Sequence, residues 1–155
     1  MSYDKKFMAF KGLPEAPAVP AGANFIQYRL TGKMLTLSGY GPLNGPILPS
    51  EYQGKLGREL TAKQGYDAAR LTAINLLLIT QKAIKSLDNV DYILNVEGFV
   101  NCTDDFTDQP SVINGCSDLL VDILGDKGKH TRSAIGVNTL AFGICVEIGM
   151  SLIIK

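Results

Sequence analysis

The chain has 155 residues, 46% hydrophobic and 19% charged, and 15 Lys/Arg balance 15 Asp/Glu to a formal net charge of +0. This is one domain's length, with enough apolar content to bury a core without disulfides or metals, and it argues against disorder. Zero net charge removes the long-range attraction that nucleic-acid binders and anionic-membrane binders rely on, so neither partner is expected.

Residues 1–23 are rich in Ala and hold Pro14, Pro17 and Pro20, which predicts an extended arm ahead of one domain over 24–155. The opening MSYDKKFMAFKG is charged and has no apolar core of signal-peptide length. Strand-like runs follow at Phe25–Leu30 and Met34–Ser38, joined by a short turn at Thr31-Gly32-Lys33. Residues 39–57 hold five glycines and three prolines and read as a long, functional or interfacial loop. Thr61 with Gln64 three residues on forms a capping box, and Tyr66, Ala69, Ala73, Leu77, Ile84 and Leu87 recur at helical spacing.

Tyr92 to Val100 reads as a strand, with Tyr92, Leu94 and Val96 alternating against Ile93 and Asn95. An acidic loop over 103–109 is expected to cap a second helix, which has Pro110 in its first turn and Gly125 just past its end. Two strands close the chain, about Ser133–Val137 and Ile144–Ile154. The order is β-β-α-β-α-β-β, an α+β fold with one sheet packed on one face by two helices. The other face, which carries Glu147, is left for subunit association to cover. Glu147 also interrupts the longest apolar stretch, so no transmembrane helix is expected and the chain reads as a cytoplasmic protein.

Cys102, Cys116 and Cys145 are odd in number and widely spaced, with no CxxC pair and none near the lone His130. They predict buried free thiols in a reducing compartment and no metal or other cofactor. Gly128-Lys129-His130-Thr131 lacks the Ser or Thr directly after Lys that a phosphate-binding loop needs. Asp104, Asp105 and Asp108 lack the spacing of a calcium loop.

Three segments resemble the Rid (YjgF-like) superfamily, parts of which carry the label endoribonuclease L-PSP. They are Gln27 through Leu37-Ser38-Gly39, Asn114 through Leu120, and Thr131 through Leu140 ending in Val146-Glu147-Ile148. With Leu60-Thr61-Ala62-Lys63-Gln64-Gly65-Tyr66, which is similar to a longer branch of that superfamily, the resemblance covers about residues 20–155. It implies a chorismate-mutase-like fold and a homotrimer with three clefts between subunits. It also implies hydrolysis of an enamine or imine, such as 2-aminoacrylate, to a 2-keto acid and ammonia. In that setting Arg132 grips the substrate carboxylate, Glu147 and Ser38 attend the attacking water, and Asn114 lies near the cleft. Three positions depart from the pattern: Phe25 stands where deaminases have a cleft tyrosine, Ala141 replaces the Pro after Leu140, and Gly149 replaces the second Glu of the last strand.

Each residue also has a reading on its own chemistry. Arg132 suits bidentate capture of a carboxylate, and Glu147 can deprotonate a water beside an imine carbon. The pair can equally be a structural ion pair between subunits. Ser38 before Gly39 can be a turn former, Asn114 can face solvent, Phe25 can be core or cleft wall, and His130 is assigned no role. Two function classes stand beside the deaminase. One is a non-catalytic protein binding small carboxylate metabolites. The other is an endoribonuclease, disfavoured by zero net charge and a single histidine.

Overall fold

The computed structural model describes residues 1–10, 12–19 and 22–155. β1 (Tyr28–Thr31) and β2 (Met34–Tyr40) pair antiparallel about a tight turn whose Gly32 takes a φ of +59°, a conformation that glycine adopts without strain. The strand expected from Phe25 therefore begins three residues later. Ahead of it, Phe25 and Ile26 are about half exposed.

The first long helix, α2, runs Ala62–Ile84. The Gln64 amide donates to Thr61 Oγ1 at 3.3 Å and the Thr61 amide donates to Gln64 Oε1 at 2.9 Å, so the capping box forms as the spacing predicts. Lys85, at φ 72°, ends the helix before Leu87, which is buried in a separate short 3-10 turn. β3 (Val90–Asn101), α3 (Gln109–Leu124) and β4 (Thr131–Val137) make a parallel β-α-β unit, and β5 (Val146–Ile154) closes the chain. Asp108 stands at the start of α3 but its side chain makes no capping bond, contrary to the expectation for the acidic loop.

The sheet order is β1-β2-β5-β3-β4, with only β3 and β4 parallel. Both long helices lie on one face. Leu35, Leu37, Val96, Val100, Ile148 and Leu152 point into them and are buried. Glycines set the depth of this layer. A Cβ on Gly115 of α3 would stand 2.0 Å from the Tyr66 carbonyl oxygen of α2, and one on Gly98 of β3 would stand 2.6 Å from Ile113. Only glycine permits either approach. The opposite face carries Met34, Thr36, Tyr92, Glu97, Ile135 and Glu147 and has no covering element among the described residues.

Two register shifts correct the alternation expected from the sequence. Leu37 pairs with Met150 but Tyr40 with Ile148, so β2 holds one residue more than β5 there, a β-bulge. A second shift lies in β3 between Ile93 and Asn95. It puts Val96 on the buried face with Ile93, not with exposed Tyr92 and Leu94.

The N-terminal arm also differs from expectation. Tyr3–Met8 is a helix, α1, capped by Ser2 and anchored by a fully buried Phe7. Asp4 accepts hydrogen bonds from Gln81 Nε2 (2.7 Å), Ser86 Oγ (2.5 Å) and the Leu87 amide (2.9 Å). The residues that suggested extension come later: Pro14 and Pro17 lie outside helix and strand, and Pro20 lies outside the described residues. No helix among the described residues is long and apolar enough to cross a membrane.

Candidate functional site

β4 is an edge strand, and Arg132 pairs in register with buried Val96, which turns its side chain toward α3. Asn114 and Ser117 stand three residues apart on α3, so they share one face of the helix. Arg132 Nη1 donates to Asn114 Oδ1 at 2.8 Å and to Ser117 Oγ at 3.1 Å. The carboxylates in ion pairs among the described residues are taken by other cations, as in Arg70–Asp122 and Lys127–Asp91, and none pairs with Arg132. The result is a half-buried guanidinium, held by neutral acceptors at one nitrogen and carrying an uncompensated charge.

His130 joins this cluster, which the sequence did not reveal. Its Nδ1 lies 2.6 Å from the Gly128 carbonyl oxygen and its Nε2 lies 3.0 Å from Ser117 Oγ. A carbonyl only accepts, so Nδ1 carries the hydrogen and the neutral ring's Nε2 accepts from the Ser117 hydroxyl. Burial pushes the imidazole pKa below its ordinary value. The Gly128 carbonyl pulls it back upward, and the Arg132 charge adds to the fall. A pocket of about 260 Å³ opens here, lined by Ser117, Val121, Lys129, His130 and Arg132. The spacing of Asn114 and Ser117, and the place of His130 two residues before Arg132 in an extended segment, were the signals in the sequence.

The second cluster lies on the open face. The bulge in β2 presents Ser38 and Gly39 beside β5. Ser38 is tied at both ends of its backbone-to-hydroxyl reach: its amide donates to Gln27 O at 2.9 Å and its Oγ to Ile26 O at 2.6 Å. Glu147 lies along Gly39, where a Cβ would meet its carboxyl carbon at 3.2 Å. Among the described residues Glu147 has no ion-pair or hydrogen-bond partner, which leaves its oxygens free to accept a proton. Phe25 sits in a neighbouring pocket of about 400 Å³ with Val19, Ile26, Gln27, Tyr28 and Lys82, and contributes only an apolar ring there.

Within one chain the two clusters stand apart. Glu147 pairs with Phe99 and, across β3, lines up with Ile135, all on the open face, whereas Arg132 is on the helix face. The structure thus joins Arg132 to Asn114, sets Glu147 against Gly39, the residue next to Ser38, and does not bring the two clusters together. Among the described residues no three His, Cys, Asp or Glu side chains converge to hold a metal ion. The three cysteines are buried and unpaired, and burial pushes the Cys116 and Cys145 thiols up to about 12, so they are poor nucleophiles.

A family model described as "YjgF/chorismate mutase-like, putative endoribonuclease" matches residues 5–146. Protein TCP17 of Trypanosoma cruzi is 38% identical over 134 residues, covering 86% of this chain and 82% of that one. A crystal structure of a "putative endoribonuclease" from Shewanella oneidensis superposes with a TM-score of 0.88 at 29% identity, covering 99% of this chain and 100% of the other. A protein of unknown function from Agrobacterium tumefaciens gives 0.84, also at 29% identity, over 99% and 92%.

Proposed function

We propose, for a chain that belongs to the YjgF/chorismate mutase-like family, that it is an enamine/imine deaminase acting on small 2-imino carboxylates at clefts between the subunits of a homotrimer. One observation carries this reading. Arg132 is pre-positioned by Asn114 and Ser117 with no carboxylate partner among the described residues, which is how a protein keeps a fork ready for a ligand's carboxylate. The split into two clusters supports an interfacial cleft, since the Arg132–Asn114 edge of one subunit can meet the Ser38–Glu147 face of another.

In such a cleft Arg132 and Asn114 hold the substrate carboxylate. Glu147 takes a proton from water as its oxygen attacks the imine carbon. Ser38 Oγ, whose hydrogen is committed to Ile26, offers lone pairs to orient that water. Glu147 returns that proton to the nitrogen of the resulting carbinolamine and takes up the hydroxyl proton as the C–N bond breaks, so that ammonia leaves and a 2-keto acid remains. Orientation, charge neutralisation and one proton relay are the demands of this hydrolysis, and water is its only co-reactant. The buried, unpaired cysteines support a reducing cytoplasmic setting.

Turnover of 2-aminoacrylate, generated by a coupled dehydratase, tests the reaction. Mixing subunits tests the cleft. Arg132→Ala and Glu147→Gln proteins, each inactive alone, should regain activity on co-assembly, to roughly a quarter of native clefts if subunits mix at random. No recovery would place both residues in one subunit's site or in none. A second reading rests on Phe25, whose ring has no hydroxyl to relay a proton: a protein that binds 2-keto acids without turning over the imine. Binding of 2-ketobutyrate with no 2-aminoacrylate turnover supports that reading.

A further inference from the structure

The chain contains a single histidine, and it ends a hydrogen-bond chain that the deaminase chemistry leaves unused. Each link has a direction. Arg132 Nη1 donates to Ser117 Oγ, the Ser117 hydroxyl donates to His130 Nε2, and His130 Nδ1 donates to the Gly128 carbonyl. The far end is rigid, because a Cβ on Gly128 would stand 2.3 Å from the Leu120 carbonyl oxygen, so the turn is seated directly on α3. We propose that Ser117 and His130 are positioning residues for Arg132, and that capture of an anion by Arg132 draws one proton onto the His130 imidazole. The inference rests on the reading of Arg132 as the carboxylate anchor.

The charges around the ring give the direction of the coupling. On the turn before β4, Lys129 pairs with Asp126 at 2.7 Å and Lys127 with Asp91 of β3 at 3.3 Å. On α3, Asp118 is held by the Tyr66 hydroxyl and Asp122 by Arg70, both of α2. That leaves Arg132 as the uncompensated charge facing His130 among the described residues, and it opposes protonation of the ring. A carboxylate on Arg132 cancels the opposition. Once protonated, Nε2 becomes a donor to Ser117 Oγ. The serine then accepts from both Arg132 and His130, and its own hydrogen is released to donate to the bound carboxylate. The proton comes from solvent and one is taken up per ligand. Affinity therefore rises as pH falls through the ring's titration, by at most about tenfold per pH unit for a single proton.

A lone histidine gives unambiguous imidazole signals in proton NMR. The ring should titrate at a higher pH with saturating 2-ketobutyrate than without it. Calorimetry from about pH 8 down to about pH 5.5 should show rising affinity for 2-ketobutyrate, a range that brackets an ordinary imidazole. His130→Gln should flatten that dependence, and Ser117→Ala should both flatten it and weaken binding. Affinity that is constant with pH, or an imidazole titration unmoved by ligand in the wild-type protein, overturns the coupling and leaves the anchor standing. Absence of binding at every pH overturns the anchor, and the coupling with it.

Discussion

The two faces of the sheet are built on different terms. On the helix face, aliphatic side chains and close-approach glycines leave no slack: Val96, Ile113, Leu120 and Leu152 are fully buried, and Gly98 and Gly115 admit no added atom. On the open face, apolar and ionisable side chains are interleaved, with Ile135 and Tyr92 each more than 40% exposed beside Glu97 and Glu147. The first face makes the chain a stable body. The second is suited to a partner surface, because exposed apolar groups alternating with polar ones cost little in water and gain on association. The proposed site residues follow this division: Arg132 stands at the rim of the finished face and Glu147 on the unfinished one.

The contrast is tested most severely by matched truncations. Ile113→Ala should cost about 2–5 kcal/mol of subunit stability, as a cavity in a fully packed layer does. Ile135→Ala should cost within about 0.5 kcal/mol of subunit stability, as exposed positions do, yet loosen the assembly. Urea denaturation paired with light scattering separates the two effects, and equal losses would erase the distinction between faces. Gly115→Ala sharpens it from the other side. The new methyl meets backbone that cannot rotate away, so a loss of about 3 kcal/mol is expected in the same denaturation assay, at the upper end of overpacking costs.

Arg132→Ala addresses the rim. It should remove about 1.5–3 kcal/mol of 2-keto acid binding, the worth of a charge-assisted pair, while the assembly keeps its size. Calorimetry and sizing of one sample decide this, and Arg132→Lys should restore only part because a point charge does not reproduce the fork. A modest effect belongs to Asp4 of α1. Partial burial pushes its carboxyl pKa up, but hydrogen bonds from Ser86, the Leu87 amide and Gln81 outweigh that and hold it below the ordinary value. A lowered folded pKa means the stabilisation is full above the unfolded carboxyl's pKa of about 3.9 and is lost as pH falls through the folded value. Asp4→Asn should therefore cost about 1 kcal/mol near neutrality, a modest figure for a solvent-screened group, and nothing in strong acid. Melting curves across that range would show the two proteins converging.

What the sequence disclosed and what it hid follow from how local each feature is. The capping box, the apolar stripes of α2 and α3, and Gly32 in its turn are set within a few residues, so spacing alone located them. The bulges were hidden because one inserted residue changes no composition. α1 was hidden because six residues are too few to show a period, and the prolines after it pointed elsewhere. Arg132, Asn114, Ser38 and Glu147 stood out through a family resemblance, which also implied their roles. Ser117 and His130 did not, since they stand 13 residues apart in sequence and meet only where α3 packs beside the segment leading into β4.

The bulge in β2 has a consequence for reading variation along that strand. Buried positions fall at Leu35 and Leu37, then skip to Tyr40, so the two halves of one strand keep time on opposite beats. A saturation scan across residues 34–40 should therefore show tolerance alternating odd and even up to Ser38 and then reversing. Deleting one residue at 38 or 39 should erase the bulge and leave Tyr40 facing inward opposite Ile148, so its effect should fall on the surface that Gly39 and Glu147 share and not on the core. Sequence variation in this strand is thus scored correctly only when length is counted as a trait in its own right, separate from the identity of each letter.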